Sequence, residues 1–148
     1  MVYCKEQLKN SGYQISNYGA TGQTFQIYKE NTGVNNSQLN DGLSYLKYAL
    51  SNGIPVIAGV DLKSGTSTNP GTDNTTDHFI VIVGMGQDSN GKYFRFYDNA
   101  TGNQLSGTHE DNKLYYNSAT GKISGYSKAT YAQGLPYTIT MIRKSKSL

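Results

Sequence analysis

Three kinds of side chain in this sequence could together cleave an amide bond: a thiol, an imidazole, and a carboxylate or amide that orients the imidazole. Cys4 is the only cysteine, and His78, one of two histidines, begins the apolar run HFIVIVGMG. Asp98 and Asn99 stand at the end of the next run, KYFRFYDN. A thiolate can attack a carbonyl carbon while a histidine moves the proton and a third group fixes the ring. The residue types and their order therefore predict a Cys–His–Asp or Cys–His–Asn hydrolase.

A hairpin between the two runs is expected to place His78 beside Asp98 or Asn99. The connection QDSNGK carries Asn90-Gly91, a dipeptide typical of tight hairpin turns. Antiparallel pairing brings the beginning of the first strand next to the end of the second. Because side chains alternate between the two faces of a strand, only one of Asp98 and Asn99 can orient the imidazole. Asp98 is favoured because it continues the strand directly.

The thiol is expected at the amino-terminal end of a helix that begins near Tyr3. Free N–H groups and the positive dipole end at that place lower the pKa of a thiol, and the Cys4 amide is positioned to donate to an oxyanion. The alternative is that Cys4 is a small buried apolar side chain and His78 an ordinary histidine at a strand end. Composition does not choose between these interpretations.

The elements that must position these groups form an α+β domain, and residues 1–148 are interpreted as one domain. Leucines at 39, 43, 46 and 50 form one apolar stripe, which predicts a helix within 36–53 with Ser37 as its cap. A first helix is expected over 3–12, and strands are expected over 22–30, 54–62, 78–86, 92–98, 113–117 and 137–144. The order of two helices followed by an antiparallel meander predicts helices packed on one side of a sheet.

Composition argues against several other classes of protein. The net charge is +3 and no basic stripe is interleaved with aromatics, so nucleic-acid binding is not expected. No apolar stretch approaches the roughly 20 residues that cross a bilayer, and no signal peptide opens the chain. The cluster His109-Glu110-Asp111 lacks the short-spaced ligand pairs of a zinc site, so no metal or other cofactor is expected.

The segments CKEQLKNSGY, LKYALSNGIPVIAGV and DHFIVIVGMGQDSNGKYFRFYDNAT together resemble papain-like cysteine hydrolases. Within these, they are most similar to the branch of bacteriocin-processing peptidases and CHAP-type cell-wall amidases. The resemblance covers residue 4 to about residue 101. It implies that Cys4 is the nucleophile, His78 the acid and base, and Asp98 the orienting residue, with Asn99 as the competing choice.

Two features depart from the pattern of that family. Its members usually carry an oxyanion-hole glutamine several residues before the cysteine, whereas only three residues precede Cys4. Gln7 or Gln14 is expected to substitute, or the chain is a catalytic piece of a longer protein, or the oxyanion hole is incomplete. The second departure is a long polar loop over 62–77, in which Asp73 and Asp77 are expected to raise the pKa of His78 if they lie near it.

The resemblance leads to an expected activity on a peptide or on the stem peptides of peptidoglycan. An interbacterial effector, secreted or delivered to the periplasm or extracellular space, fits the apparent truncation, and an inhibitory or immunity protein is then an expected partner. Two alternatives stay open: a catalytically inactive papain-like binding module, and a surface interaction domain rich in tyrosine and asparagine.

Overall fold

A computed structural model of the protein describes residues 1–62, 75–129 and 134–148. The helices within these ranges are α1 (Val2–Asn10), α2 (Asn36–Ser51) and the short α3 (Gln104–Gly107). The strands are β1 (Tyr13–Gln14), β2 (Thr24–Gln26), β3 (Tyr28–Lys29), β4 (Gly33–Val34), β5 (Val56–Asp61), β6 (His78–Asp88), β7 (Gly91–Tyr97), β8 (Lys113–Tyr116), β9 (Ile123–Tyr126), β10 (Tyr137–Arg143) and β11 (Lys146–Ser147). In this part of the chain no helix has the length and apolar character needed to cross a membrane.

The main sheet is antiparallel and closes on itself like a barrel. Its strand order is β2-β10-β5-β6-β7-β8-β9, and β10 also pairs with β9. One edge of β10 bonds β5, while its other edge bonds β9 at Tyr137 and Thr138 and β2 further along. The ring from β10 through β9 therefore surrounds one apolar interior.

The two long helices lie on opposite faces of this sheet, so the prediction that they share one side is wrong. Leu46 of α2 packs with Ile80 and Ile82 in the interior cluster. Cys4 and Leu8 of α1 belong to a second cluster with Ile57 and Val81, on the outer face. The physical reason is that β5 and the first half of β6 are apolar at successive positions. Both faces of these strands are therefore apolar, and each face needs a helix packed against it to exclude water.

Most other elements lie near their predicted positions, although α3 and the two-residue strands β1, β4 and β11 were not predicted. The cap of α2 is Asn35 rather than Ser37, and its side chain accepts a hydrogen bond from the Gln38 amide at 3.1 Å. The segment 22–30 forms two short strands that are interrupted at Ile27, which is bonded to Thr140 and Asn35. Strand β9 was not predicted, because ISGY contains a glycine; Gly125 allows a close approach of the Lys113 carbonyl of β8.

Candidate active site

His78 and Asp98 form a hydrogen-bonded pair at one end of the β6–β7 hairpin. His78 is the first residue of β6, and Asp98 directly follows β7. The His78 Nε2 atom lies 2.9 Å from Asp98 Oδ1, which is the contact that the hairpin pattern predicts. This hydrogen bond to the carboxylate fixes the orientation of the imidazole ring.

The Asp98 carboxylate is buried, with 2% of its surface exposed, and is surrounded by hydrogen-bond donors. Its Oδ2 accepts from the hydroxyls of Ser127 at 2.7 Å and Tyr137 at 2.6 Å, and its Oδ1 also accepts from the Ala100 amide at 3.0 Å. Burial alone raises the pKa of Asp98, but hydrogen bonds from His78, Tyr137, Ser127 and Ala100 together lower it to about 2. Asp98 is therefore an anion at neutral pH.

Tyr137 contacts both members of the pair. Its ring centroid lies 5.6 Å from that of His78, and its hydroxyl donates to Asp98. The side chain is fully buried at the beginning of β10. Sequence reasoning missed both Tyr137 and Ser127, because neither lies in the hairpin and no local pattern marks a tyrosine or serine as the partner of a distant carboxylate.

Cys4 occupies the first turn of α1 but lies on the outer face of the sheet. Only 2% of its surface is exposed. Its thiol donates to the Phe79 carbonyl at 3.4 Å, and Asn99 Nδ2 lies 3.7 Å from Sγ and 2.9 Å from Gln7 Oε1. Asp98 and Asn99 thus point to opposite faces, as the strand period predicts, with Asp98 bound to His78 and Asn99 bound to Cys4 and Gln7.

Burial raises the pKa of the Cys4 thiol above its usual value and outweighs the hydrogen bond from Asn99, which lowers it. The prediction that the helix end would lower this pKa is therefore wrong for the structure as it stands, because desolvation penalises the thiolate more than the Asn99 side chain and the charge of the amino terminus favour it. The first backbone bond of α1 runs from Lys5 N to Met1 O, so the Cys4 amide still precedes the hydrogen-bonded ladder of the helix.

An open groove joins the beginning of α1 to the His–Asp pair. It has a volume of about 650 Å³ and is lined by Tyr3, His78, Asn99 and the segment 100–102. All three residues of this segment are small and uncharged; Ala100 and Thr101 are half-buried, and Gly102 is exposed. The groove thus reaches His78 from the side on which α1 begins.

The other side chains named from the sequence have varied surroundings. Gln7 lies beside Asn99 near Cys4, whereas Gln14 donates to the Ser147 carbonyl at 3.1 Å in the small β1–β11 sheet. Asp77 accepts from the Leu62 amide at 3.1 Å, while Asp73 falls outside the described residues. The effect of these two aspartates on His78 stays a prediction. Among the described residues, no group of three or more His, Cys, Asp or Glu side chains could hold a metal ion.

Comparison with known proteins identifies one family. A family model described as Peptidase_C39 like family matches residues 5–124, a range that includes His78, Asp98 and Asn99 and begins one residue after Cys4. No curated protein and no solved structure shows significant similarity to the chain.

Proposed function

The chain belongs to the Peptidase_C39 like family, and on that premise we propose that it is a papain-like cysteine peptidase in which His78 and Asp98 form the acid–base pair. The observation that carries the proposal is the 2.9 Å contact between His78 Nε2 and an Asp98 carboxylate held ionised by four donors. An anion at that position orients the imidazole and stabilises the imidazolium that forms when the ring takes a proton.

Cys4 is the proposed nucleophile, because it is the only thiol in the sequence and lies at the helix end that borders the groove. The thiol would break its hydrogen bond to the Phe79 carbonyl and transfer its proton to His78 Nδ1. The thiolate would attack the substrate carbonyl, the C–N bond would break as His78 protonates the leaving amine, and water would release the acid from the thioester. The amides of Cys4 and Asn99 are the proposed oxyanion donors.

The proposed substrate is a short peptide bound in extended form along the groove. The small, uncharged segment 100–102 supports this choice, since it lets a peptide backbone approach and exposes its own backbone for hydrogen bonds. Bacterial stem peptides, an interbacterial role with an immunity protein as partner, and a CHAP-like amidase activity rest on the family resemblance alone.

A second candidate function is a catalytically inactive binding module with the same fold. The burial of Cys4 and the raised pKa of its thiol favour it, because a nucleophile has to reach the substrate as a thiolate. In that case His78 and Asp98 would be structural, and the groove would bind peptides without cleaving them.

Two measurements separate these candidates. Peptide libraries and purified peptidoglycan are incubated with the protein and analysed by mass spectrometry, alongside Cys4→Ala, His78→Ala and His109→Ala. The peptidase predicts products that disappear in the first two variants and persist in the third, which removes the chain's other histidine. Loss in His78→Ala with full activity in Cys4→Ala would overturn the thiol as nucleophile.

The second measurement is the alkylation rate of Cys4 by iodoacetamide between pH 5 and pH 9. The peptidase predicts a rate at pH 6 above that of free cysteine, which falls in His78→Ala but not in His109→Ala. A slow rate that is insensitive to His78→Ala, together with no cleavage product, would leave the binding module as the function.

A further inference from the structure

A second pocket lies far from the groove, at the end of the barrel where β6 turns into β7. It has a volume of about 350 Å³, within the range of sites for small molecules. Met85 of β6 lines it, and at about 3.3 Å per residue this position is roughly 23 Å along the strand from His78. The pocket is therefore separate from the candidate active site.

The walls of this pocket are mainly apolar. Leu43 of α2, Phe94 of β7 and Tyr116 of β8 line it together with Met85, which is 45% exposed although it is a large apolar side chain. The Tyr93 ring packs over Gly86, at the position that a Cβ would occupy. An apolar ligand would remove this surface from water, which is the main favourable term in such sites.

The charged groups that line the pocket are all basic. Lys47 of α2 and Lys92 of β7 are exposed on its rim. Among the described residues, neither ammonium group has an acidic partner, and the neighbouring Asp88 is already bonded to Lys113 at 3.1 Å and Tyr115 at 2.7 Å. The pocket thus combines an apolar interior with two cations that have no acidic partner in the part of the chain that the structure describes.

We propose that this pocket binds a medium-chain fatty carboxylate, with the alkyl chain between Leu43, Phe94 and Tyr116 and the carboxylate between Lys47 and Lys92. A peptide is disfavoured as the occupant, because its amides would lose hydrogen bonds to water in a pocket with few polar groups to replace them. An alkyl chain has no such cost, and the carboxylate stays at the rim, where it pairs with the two ammonium groups.

The test uses the complete chain and decanoate below its micelle-forming concentration, with decanol as the uncharged match. Titration calorimetry should show saturable binding of decanoate and weaker binding of decanol. The double variant Lys47→Gln/Lys92→Gln should weaken decanoate binding about tenfold, as for the loss of two exposed ion pairs, and leave decanol unchanged. The charge-matched variant Lys9→Gln/Lys146→Gln, whose lysines do not line the pocket, should bind decanoate like the original protein.

Three results would overturn the proposal. They are the absence of saturable decanoate binding, decanoate binding that is unaffected by Lys47→Gln/Lys92→Gln, and decanol binding as tight as decanoate binding. Amide chemical shifts give the location: changes at Leu43 and Tyr116 support the assignment, and changes confined to His78 and Gly102 contradict it. Both lysines are exposed, so circular dichroism should show that the variants fold normally.

Discussion

Two buried aspartates, Asp98 and Asp61, lie on the strands that flank His78, and they have opposite surroundings. Asp98 follows β7, while Asp61 ends β5, next to the residue that pairs with His78. Their exposed fractions are similar, 2% for Asp98 and 5% for Asp61. Donors surround Asp98, whereas Asp61 interacts with two other acids, Asp77 and Glu30.

The comparison shows that the neighbours, and not burial alone, decide the charge of a buried carboxyl group. Burial raises the pKa of both aspartates. At Asp98 the donated hydrogen bonds reverse this effect and the pKa falls to about 2, whereas at Asp61 the neighbouring acids add to it and the pKa rises to about 8. Asp98 is therefore an anion at neutral pH, whereas burial and the two neighbouring acids favour the protonated form of Asp61.

The largest expected difference between the two sites is in peptide turnover. Asp98→Asn removes the charge that we propose stabilises the His78 imidazolium, and we expect turnover to fall roughly a thousandfold or more. Asp61→Asn replaces a carboxyl group that is already protonated, so turnover should stay within a few-fold. The rates are compared on one peptide substrate at pH 7. Equal losses in the two variants would mean that the contrast in charge has no role in catalysis.

Removing one donor should make Asp98 more like Asp61. Tyr137→Phe deletes a hydroxyl that bonds Oδ2, so the pKa of Asp98 rises and the acidic limb of the pH–rate profile moves to higher pH. We also expect a loss of about 1–3 kcal/mol in the free energy of unfolding, measured by urea titration. Tyr126→Phe, at an exposed tyrosine, is the control. An unshifted profile would show that the three remaining donors are enough to keep the pKa of Asp98 low.

The two carboxyl groups should give opposite slopes of stability against pH. Asp61 has a higher pKa in the folded chain than in the unfolded chain, so the folded state binds more protons between about pH 4 and pH 8 and stability falls as pH rises through that window. Asp98 has a lowered pKa, so its contribution is present above about pH 4 and is lost as pH falls toward 2.

Urea titrations of Asp61→Asn should isolate the first of these slopes. The variant should lose much of the decline in stability between pH 5 and pH 8 and keep the decline below pH 4. If the decline between pH 5 and pH 8 is the same in both proteins, another group is responsible for it.

The smallest effect is expected at a third carboxylate, Asp88, which has donors but is partly exposed to solvent. A hydrogen bond from Tyr115, opposed by desolvation and supported by Asn90 and Lys113, lowers the pKa of Asp88. Because water can replace these partners, Asp88→Asn should leave the urea midpoint almost unchanged. A large shift of the midpoint would show that hydrogen-bond donors stabilise a carboxylate strongly even where it is not buried.

The sequence was enough to predict those parts of the molecule that depend on residues close together in the chain. The leucine stripe predicted α2, and the Asn90-Gly91 turn predicted the contact between His78 and Asp98. Ser127 and Tyr137 lie 29 and 39 residues after Asp98 and reach it only because β9 and β10 close the sheet. Closure is a tertiary event without a local signal, which is why these donors were missed.

The errors at Cys4 have a related cause. A residue at the beginning of a helix was expected to have an activated thiol, but the side chain faces Leu8, Ile57 and Val81 and is desolvated by them. The strand patterns showed that β6 is apolar on both faces. They did not show which helix packs on which face, because that depends on the path of the connections around the closed sheet.

The joint between β9 and β10 consists of only two residue pairs, Tyr137 with Gly125 and Thr138 with Ser124. The β6–β7 hairpin, which carries His78, depends on local contacts and can form early. The hydroxyls of Ser127 and Tyr137, which lower the pKa of Asp98, reach it only when β9 pairs with β10. A chain caught before that moment would have His78 beside an Asp98 that Ser127 and Tyr137 do not yet hold in place. The proposed peptidase activity would then appear only in the last step of folding. Any agent that separates β9 from β10 would abolish this activity while most of the barrel stays folded.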